Sequence, residues 1–387
     1  MPVGSIFCKK QAKNGFLFPV SCFIMNHNTK DEYTAMSFRE DAHMKIAVLC
    51  GGLSRERDVS ISTGTCVAAA LRGRGHEVAL IDLFLGDETA RANPEGAFSA
   101  VREDSLYSVR ETEPDLEELR RSRGGRGLLG PGVPEVCSAA DFVFLALHGA
   151  EGENGKLQAY LDLCGIPYTG SGYIGSALAM NKELTKEMFE NAGVPTPPGI
   201  TLNRGSKLLP SVGFPCVVKP CSGGSSVGTA IVEKEEDYDA ALAAAFACDD
   251  TVLVEKYIKG RELTVGILGG RAMPVIEIIP KTGFYDYKNK YQAGLTEEIC
   301  PAPLSLEDTE RVQRLAEKAF AALKMDAYGR ADFLMDETDG KLYCLEINSL
   351  PGMTPTSLIP QMAAAEGMTY GELCEKIIEV SRMKYDD

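Results

Sequence analysis

The sequence predicts an α/β protein that opens with a parallel α/β domain and continues into smaller mixed units. Two observations carry this. Apolar runs that read as buried strands recur at Met44–Cys50, Glu77–Asp82 and Asp141–Leu147, with a helical segment and glycine turns between them. That order of strand, helix, strand, loop and strand is the order of a parallel sheet. Beyond residue 215 short strands crowd together around single helices, the pattern of an α+β unit.

Taken in chain order, residues 1–43 carry scattered charge and little periodicity. Their apolar patch, Gly15–Met25, follows Lys9, Lys10 and Lys13 as in a signal peptide, but Pro19 interrupts it and no small-x-small cleavage site follows. The segment reads as a disordered extension. Met44–Cys50 is the first strand, Gly51–Gly52 its turn, Ser60–Gly73 a helix and Glu77–Asp82 the second strand. Residues 86–136 are the least regular, and their arginine run RRSRGGRG reads as an exposed loop rather than a phosphate patch. Asp141–Leu147 is a further strand. A long helix spans Ser176–Ala192 and stops at Gly193, with Pro195 beyond. Cys216–Lys219, Gly228–Val232 and Val252–Lys256 are short strands, with a helix at Glu235–Ala247. Then come strands Leu263–Leu268 and Ala272–Pro280, a polar loop Lys281–Pro301, a helix Leu306–Leu323, a hairpin Tyr328–Asn348 and a C-terminal helix.

Length and charge narrow the function classes. A chain of 387 residues holds two or three domains at ~150 residues each. Hydrophobic residues at 44% and charged ones at 25% exclude a disordered, collagen-like or disulfide-scaffold chain. The 40 Lys+Arg against 55 Asp+Glu leave a net charge of −15, which repels nucleic-acid backbones and anionic membranes but allows a local basic pocket. None of the 12 cysteines forms a CxxC, and most sit in apolar runs such as VLCGG and LYCLEIN, as reduced thiols of a cytoplasmic protein do. No apolar run nears the ~18 residues that cross a membrane.

The strongest chemical signal is Gly329-Arg330-Ala331-Asp332-Phe333 with Leu345-Glu346-Ile347-Asn348, joined by the turn Asp336–Gly340. Strand side chains alternate faces, so Arg330 and Asp332 share one face, Glu346 and Asn348 share one, and Leu345 and Ile347 face the core. A hairpin folded near Asp339 brings Asp332 to within about one residue of facing Glu346. Two carboxylates and an amide on one surface call for a hard divalent cation with oxygen ligands, and Mg²⁺ bridging nucleotide phosphates is the usual case. A second signal is the apolar strand ending in Lys219 that feeds the loop Cys221–Gly228, whose N–H groups can wrap phosphates. No GxxxxGK[ST] occurs. Gly170–Gly175 matches GxGxxG, but a helix-like segment, Gly155–Cys164, separates it from the strand, so the dinucleotide reading fails. His148 and Glu56 each follow a buried strand at its carboxyl end, where ligands sit in open parallel sheets, and Glu56 suits a substrate ammonium.

Eight motifs in order, GGLSRERDVS, HGAEGENGKLQ, YTGSGYIGSALAMNK, VVKPCSGGSSVG, VEKYIKGRELTV, FYDYKNKY, GRADF and LEINSLPGMTPTSL, resemble the D-alanine–D-alanine ligase family of the ATP-grasp superfamily from Met44 to the C-terminus. The resemblance implies an N-terminal parallel α/β domain followed by a two-lobed ATP-grasp fold. Its divisions fall at residues 1–43 (extension), 44–172 (substrate domain), 173–259 (small lobe) and 260–387 (large lobe with the metal and catalytic site). It implies ATP and two Mg²⁺ (or Mn²⁺) as cofactors, a homodimer, a cytoplasmic place in peptidoglycan synthesis, and no nucleic-acid or membrane partner. Lys182 and Lys219 would hold phosphates. Glu255, Lys256 and Ile258 would line the adenine pocket, and Glu262 would take the ribose. Asp332, Glu346 and Asn348 would bind the metals. Arg330 and the Gly352 N–H would stabilise the oxyanion. Glu56 would hold the first D-alanine's ammonium and, with Ser225 and Tyr291, tie down the closing loop. His148, Lys290, Ser357 and Leu358 would contact substrate. The stretch QAGLTEEICPA and Thr356 depart from common members beside the second-substrate pocket, so a D-serine or D-lactate acceptor is an alternative. A nucleotide-binding ATP-grasp protein without ligase activity is another.

Overall fold

Lys45–Cys50 (β1) is apolar on every residue after Lys45, and the structure buries it as the middle strand of a parallel sheet. Glu77–Asp82 (β2) and Phe142–Leu145 (β3) flank it, in the order β2-β1-β3. The structure is a computed structural model that describes residues 43–99, 114–124, 127–206, 209–224, 226–281 and 296–386. The turns after β1 and β3 leave the sheet at the same edge, which places Glu56 and His148 side by side.

A second sheet is antiparallel: Gly199–Asn203 (β4), Cys216–Pro220 (β5), Ala230–Val232 (β6) and Thr251–Lys256 (β7), in the order β4-β7-β5-β6. Helix Tyr238–Cys248 covers it through Tyr238, Leu242 and Phe246. The third sheet is also antiparallel: Gly260–Leu268 (β8), Arg271–Pro280 (β9), Thr296–Ile299 (β10), Tyr328–Asp336 (β11) and Leu342–Asn348 (β12), in the order β10-β9-β8-β11-β12. Helix Leu306–Ala322, with Val312, Ala316 and Phe320 buried, shares this sheet's core with Phe189. A parallel α/β domain and two antiparallel sheets with helices make up the expected α/β ATP-grasp architecture.

The C-terminal segment holds two helices where one was expected, Leu358–Ala365 and Tyr370–Arg382. Leu373, Cys374, Ile377 and Ile378 enter the same core as β1–β3. Outside it, Arg74 pairs with Glu375 at 2.7 Å, and the Lys384 ammonium sits 4.1 Å over the Tyr168 ring.

Four further expectations change. The helix Ser176–Ala192 is two helices, Tyr173–Met180 and Lys182–Ala192, because extended Asn181 caps the second one through the Leu184 N–H. The arginine run lies partly on a helix, Leu116–Arg123, capped by Asp115, with Arg123 stacked 4.1 Å over Phe84. The polar loop Lys281–Pro301 contains β10, which pairs with β9. Leu345 lines the larger cavity instead of the core, because a register shift after Asp332 sets Phe333 opposite Cys344 and leaves Leu345 and Glu346 together on the cavity side.

Candidate active site

Two adjoining cavities occupy the seam between the sheets, and Gly224 and Glu346 line both. The larger, about 570 Å³, lies between the second and third sheets. Lys182, Lys219, Glu255, Lys256, Ile258 and Glu262 line it, so every residue expected around ATP stands on its walls. The break between the two helices at Asn181 matters here. The Lys182 N–H bonds to the Cys221 carbonyl, and its Nζ reaches the Gly223 carbonyl at 2.9 Å and Glu346 Oε2 at 3.2 Å. Lys219 pairs with Glu255 at 2.5 Å, and Lys186 pairs with the same carboxylate at 3.1 Å. Burial would raise the Glu255 carboxyl, yet the two lysines hold it below the ordinary carboxylate range. Burial pushes Lys186 down, whereas Glu255 outweighs burial at Lys219 and pushes it up.

The β11–β12 hairpin carries the acidic set. Asp332 lies opposite Glu346 and Arg330 opposite Asn348. The buried Asp332 carboxylate accepts two bonds from Arg330 (2.9 and 2.8 Å), one from Asn348 Nδ2 (3.1 Å) and one from Thr264 Oγ1 (2.7 Å). The fork fixes the Arg330 plane. Among the described residues no three His, Cys, Asp or Glu side chains are grouped for a metal. The chain offers two facing carboxylates and the Asn348 carboxamide, hard oxygen donors of the kind that suit Mg²⁺. An ammonium already rests 3.2 Å from one of those carboxylates, so the position favours positive charge.

The smaller cavity, about 280 Å³, is lined by Glu56, His148, Arg330, Gly352, Ser357 and Leu358 among others. The His148 ring bonds the Leu350 carbonyl through Nδ1 and Thr63 Oγ1 through Nε2, both at 2.9 Å. Burial lowers its pKa, so the neutral ring donates from Nδ1 and accepts from Thr63. Both nitrogens are thereby engaged, and the ring ties helix Arg57–Gly73 to the turn after β12 from the cavity wall. Glu56 faces the backbone of Gly149, where an added Cβ would come 2.6 Å from its Oε2. A Cβ on Gly352 would meet Ser357 Oγ at 2.9 Å. Ser357 precedes helix Leu358–Ala365 and bonds Thr354 Oγ1 at 2.7 Å. Ser225, Lys290 and Tyr291 lie outside the described residues.

Four residues on or beside these walls were not anticipated. Glu153 lines the smaller cavity, and burial, then Glu56, raises its carboxyl to about 8. Glu298 lines it too and accepts from Gln361 Nε2, which also donates to the Thr356 carbonyl at 2.8 Å. Lys186 could have been found, since it is one helical turn from Lys182.

Residues 45–171 match the family described as D-ala D-ala ligase N-terminus, and residues 188–379 match D-ala D-ala ligase C-terminus. A D-alanine–D-alanine ligase of Pediococcus pentosaceus is 44% identical over 351 residues, 89% of this chain and 99% of its own. One from Lacticaseibacillus casei is 41% identical, over 89% and 97%. Among solved structures, the Bacillus anthracis D-alanine–D-alanine ligase complexed with ATP is similar at TM-score 0.68 and 32% identity, covering 88% of this chain and 98% of its own.

Proposed function

The chain belongs to the D-alanine–D-alanine ligase family, and from that premise we propose how its two cavities divide the reaction. It joins two D-alanine molecules for peptidoglycan precursor synthesis in an ATP-dependent reaction that releases ADP and phosphate. ATP takes the larger cavity, with its base against Glu255, Lys256 and Ile258 and its ribose at Glu262. Lys182 and Lys219 turn from their carboxylates to the phosphates. The donor D-alanine lies in the smaller cavity, its ammonium on Glu56 and its carboxylate toward Glu346, where the cavities join. A carboxylate is a poor electrophile, so phosphorylation comes first. The amine of the second D-alanine then attacks the acyl phosphate, and phosphate leaves from a tetrahedral intermediate.

Arg330, held flat by Asp332, and the Gly352 N–H meet the oxygen that becomes negative. Ser357, at the start of helix Leu358–Ala365, holds the acceptor beside Leu358. Asp332, Glu346 and Asn348 would hold Mg²⁺ or Mn²⁺, which when bound would supply positive charge to the transferring phosphoryl group. By the family resemblance, Ser225 and Tyr291 would act with Glu56 to tie down the closing loop, Lys290 would contact substrate, and the closed loop would keep water from the acyl phosphate. The enzyme acts in the cytoplasm as a homodimer, a reading the family resemblance supports.

The observation that carries this reading is the join of the two cavities at Glu346 and Gly224. It lets one carboxylate face nucleotide and amino acid together. The test is phosphate release with D-alanine alone and with added D-serine or D-lactate, and mass analysis of the products. D-alanyl-D-alanine as the main product supports the reading. Phosphate release independent of D-alanine, or a depsipeptide as main product, overturns it.

A further inference from the structure

Lys186 has no part in the reaction above, yet its ammonium is fully bonded. It stands one turn beyond Lys182 on the same face of helix Lys182–Ala192, with its side chain buried. Its Nζ bonds Thr196 Oγ1 at 3.0 Å, the Pro197 carbonyl, and Glu255 Oε2 at 3.1 Å. An ammonium has three N–H groups, so all are used. The other carboxylate oxygen, Glu255 Oε1, lies 2.5 Å from Lys219 Nζ.

One buried carboxylate is therefore shared by two lysines, one fixed by three acceptors and one at the end of a cavity wall. Two ammonium groups and one carboxylate leave a charge of +1, which suits a polyphosphate. If Lys219 turns to a phosphate, it gives up Glu255. Without a second cation Glu255 would then be a buried, unpaired carboxylate, which either takes up a proton or follows Lys219.

We propose that Lys186 is a positioning residue for nucleotide recognition: it keeps Glu255 charged and in place on the base-binding wall while Lys219 passes from Glu255 to the phosphates. This rests on the reading of the larger cavity as the ATP site. The consequence is base selectivity. Departure of Lys219 frees Oε1, and a fixed carboxylate accepts from the 6-amino group of adenine but repels the 6-carbonyl oxygen that guanine carries in its place.

The test uses the full chain, with ATP and GTP titrated calorimetrically in the presence of Mg²⁺ and absence of D-alanine. A wild type that binds ATP but releases no phosphate with D-alanine fails the ligase reading and leaves this test standing. Lys186→Met should weaken ATP binding by about tenfold or more and lower the ATP-over-GTP preference by a similar factor. Its kcat at saturating ATP should stay within about threefold of wild type. Glu255→Gln should show the same loss, and adding Lys186→Met to it should cost little more. Lys186→Arg, which keeps the charge, should hold ATP affinity within about threefold, and it carries the test if the Met variant does not fold. An unchanged ATP-to-GTP ratio in folded Lys186→Met, additive losses in the double variant, or an Arg variant as weak as the Met variant would each overturn the proposal.

Discussion

Lys182 Nζ stands 3.2 Å from Glu346 Oε2, joining the first turn of helix Lys182–Ala192 to strand β12. In the reaction proposed above, the lysine serves a phosphate and the glutamate a cation, so nucleotide binding would separate them. The pair keeps either charge from lying bare in the cleft before the nucleotide arrives.

Glu346→Gln and Asn348→Ala should each lower turnover by ~100-fold or more, because each removes charge or an oxygen ligand from the cation that serves the phosphoryl group. The melting temperature should stay within a few degrees of wild type. Steady-state phosphate release over a Mg²⁺ titration checks this. Near-normal turnover at limiting Mg²⁺ in both variants would defeat the metal assignment.

Gly352→Ala should lower kcat by ~10–100-fold with little change in stability. The added methyl would sit 2.9 Å from Ser357 Oγ, which Thr354 holds by hydrogen bonds, so the turn carrying the Gly352 N–H must shift. Wild-type kcat in a folded Ala variant would remove this N–H from the oxyanion site.

Glu153 gives a pH signature. Its carboxyl is raised from 4.5 to about 8, so the folded protein retains a proton that the unfolded chain has lost between those values. Its contribution to stability is complete below about pH 4.5 and declines as pH rises through 8. Glu153→Gln has no such decline. Relative to wild type it should gain ~1–3 kcal/mol between about pH 5 and pH 9, as urea unfolding measures it. A difference that does not vary with pH would show that Glu153 ionises normally.

Gln361→Leu should raise the KM for the second D-alanine by about fivefold and leave the first within about twofold, since the amide ties the Thr356 carbonyl to Glu298 beside the acceptor pocket. The two constants separate in the D-alanine saturation curve. Equal changes in both would make Gln361 a general stabiliser.

Period-2 alternation and one turn were enough to set Asp332 opposite Glu346, because both facts are local. Leu345 escaped the same logic, since a bulge changes which side a residue faces without leaving a mark in composition. Glu153 stood inside a motif read for its histidine, and its altered ionisation comes from burial that only the tertiary fold creates. Thr264 bonds Asp332 from a neighbouring strand, 68 residues away in sequence, and nothing near either residue announces it. Strand β4 follows Pro195-Thr196-Pro197-Pro198, whose turn character hides the five residues that pair with β7.

The helix Tyr370–Arg382 completes the core that β1, β2 and β3 begin. This has a consequence for how the protein comes into being. A ribosome adding ~5–20 residues per second needs roughly 10–40 s to travel from Tyr168 to Tyr370. For that interval the newborn sheet has strands but no roof where Leu373, Ile377 and Ile378 will lie. The nascent chain therefore carries an open apolar face through half of its synthesis, the kind of surface that chaperones shield, and the earliest domain to be made is among the last to be finished.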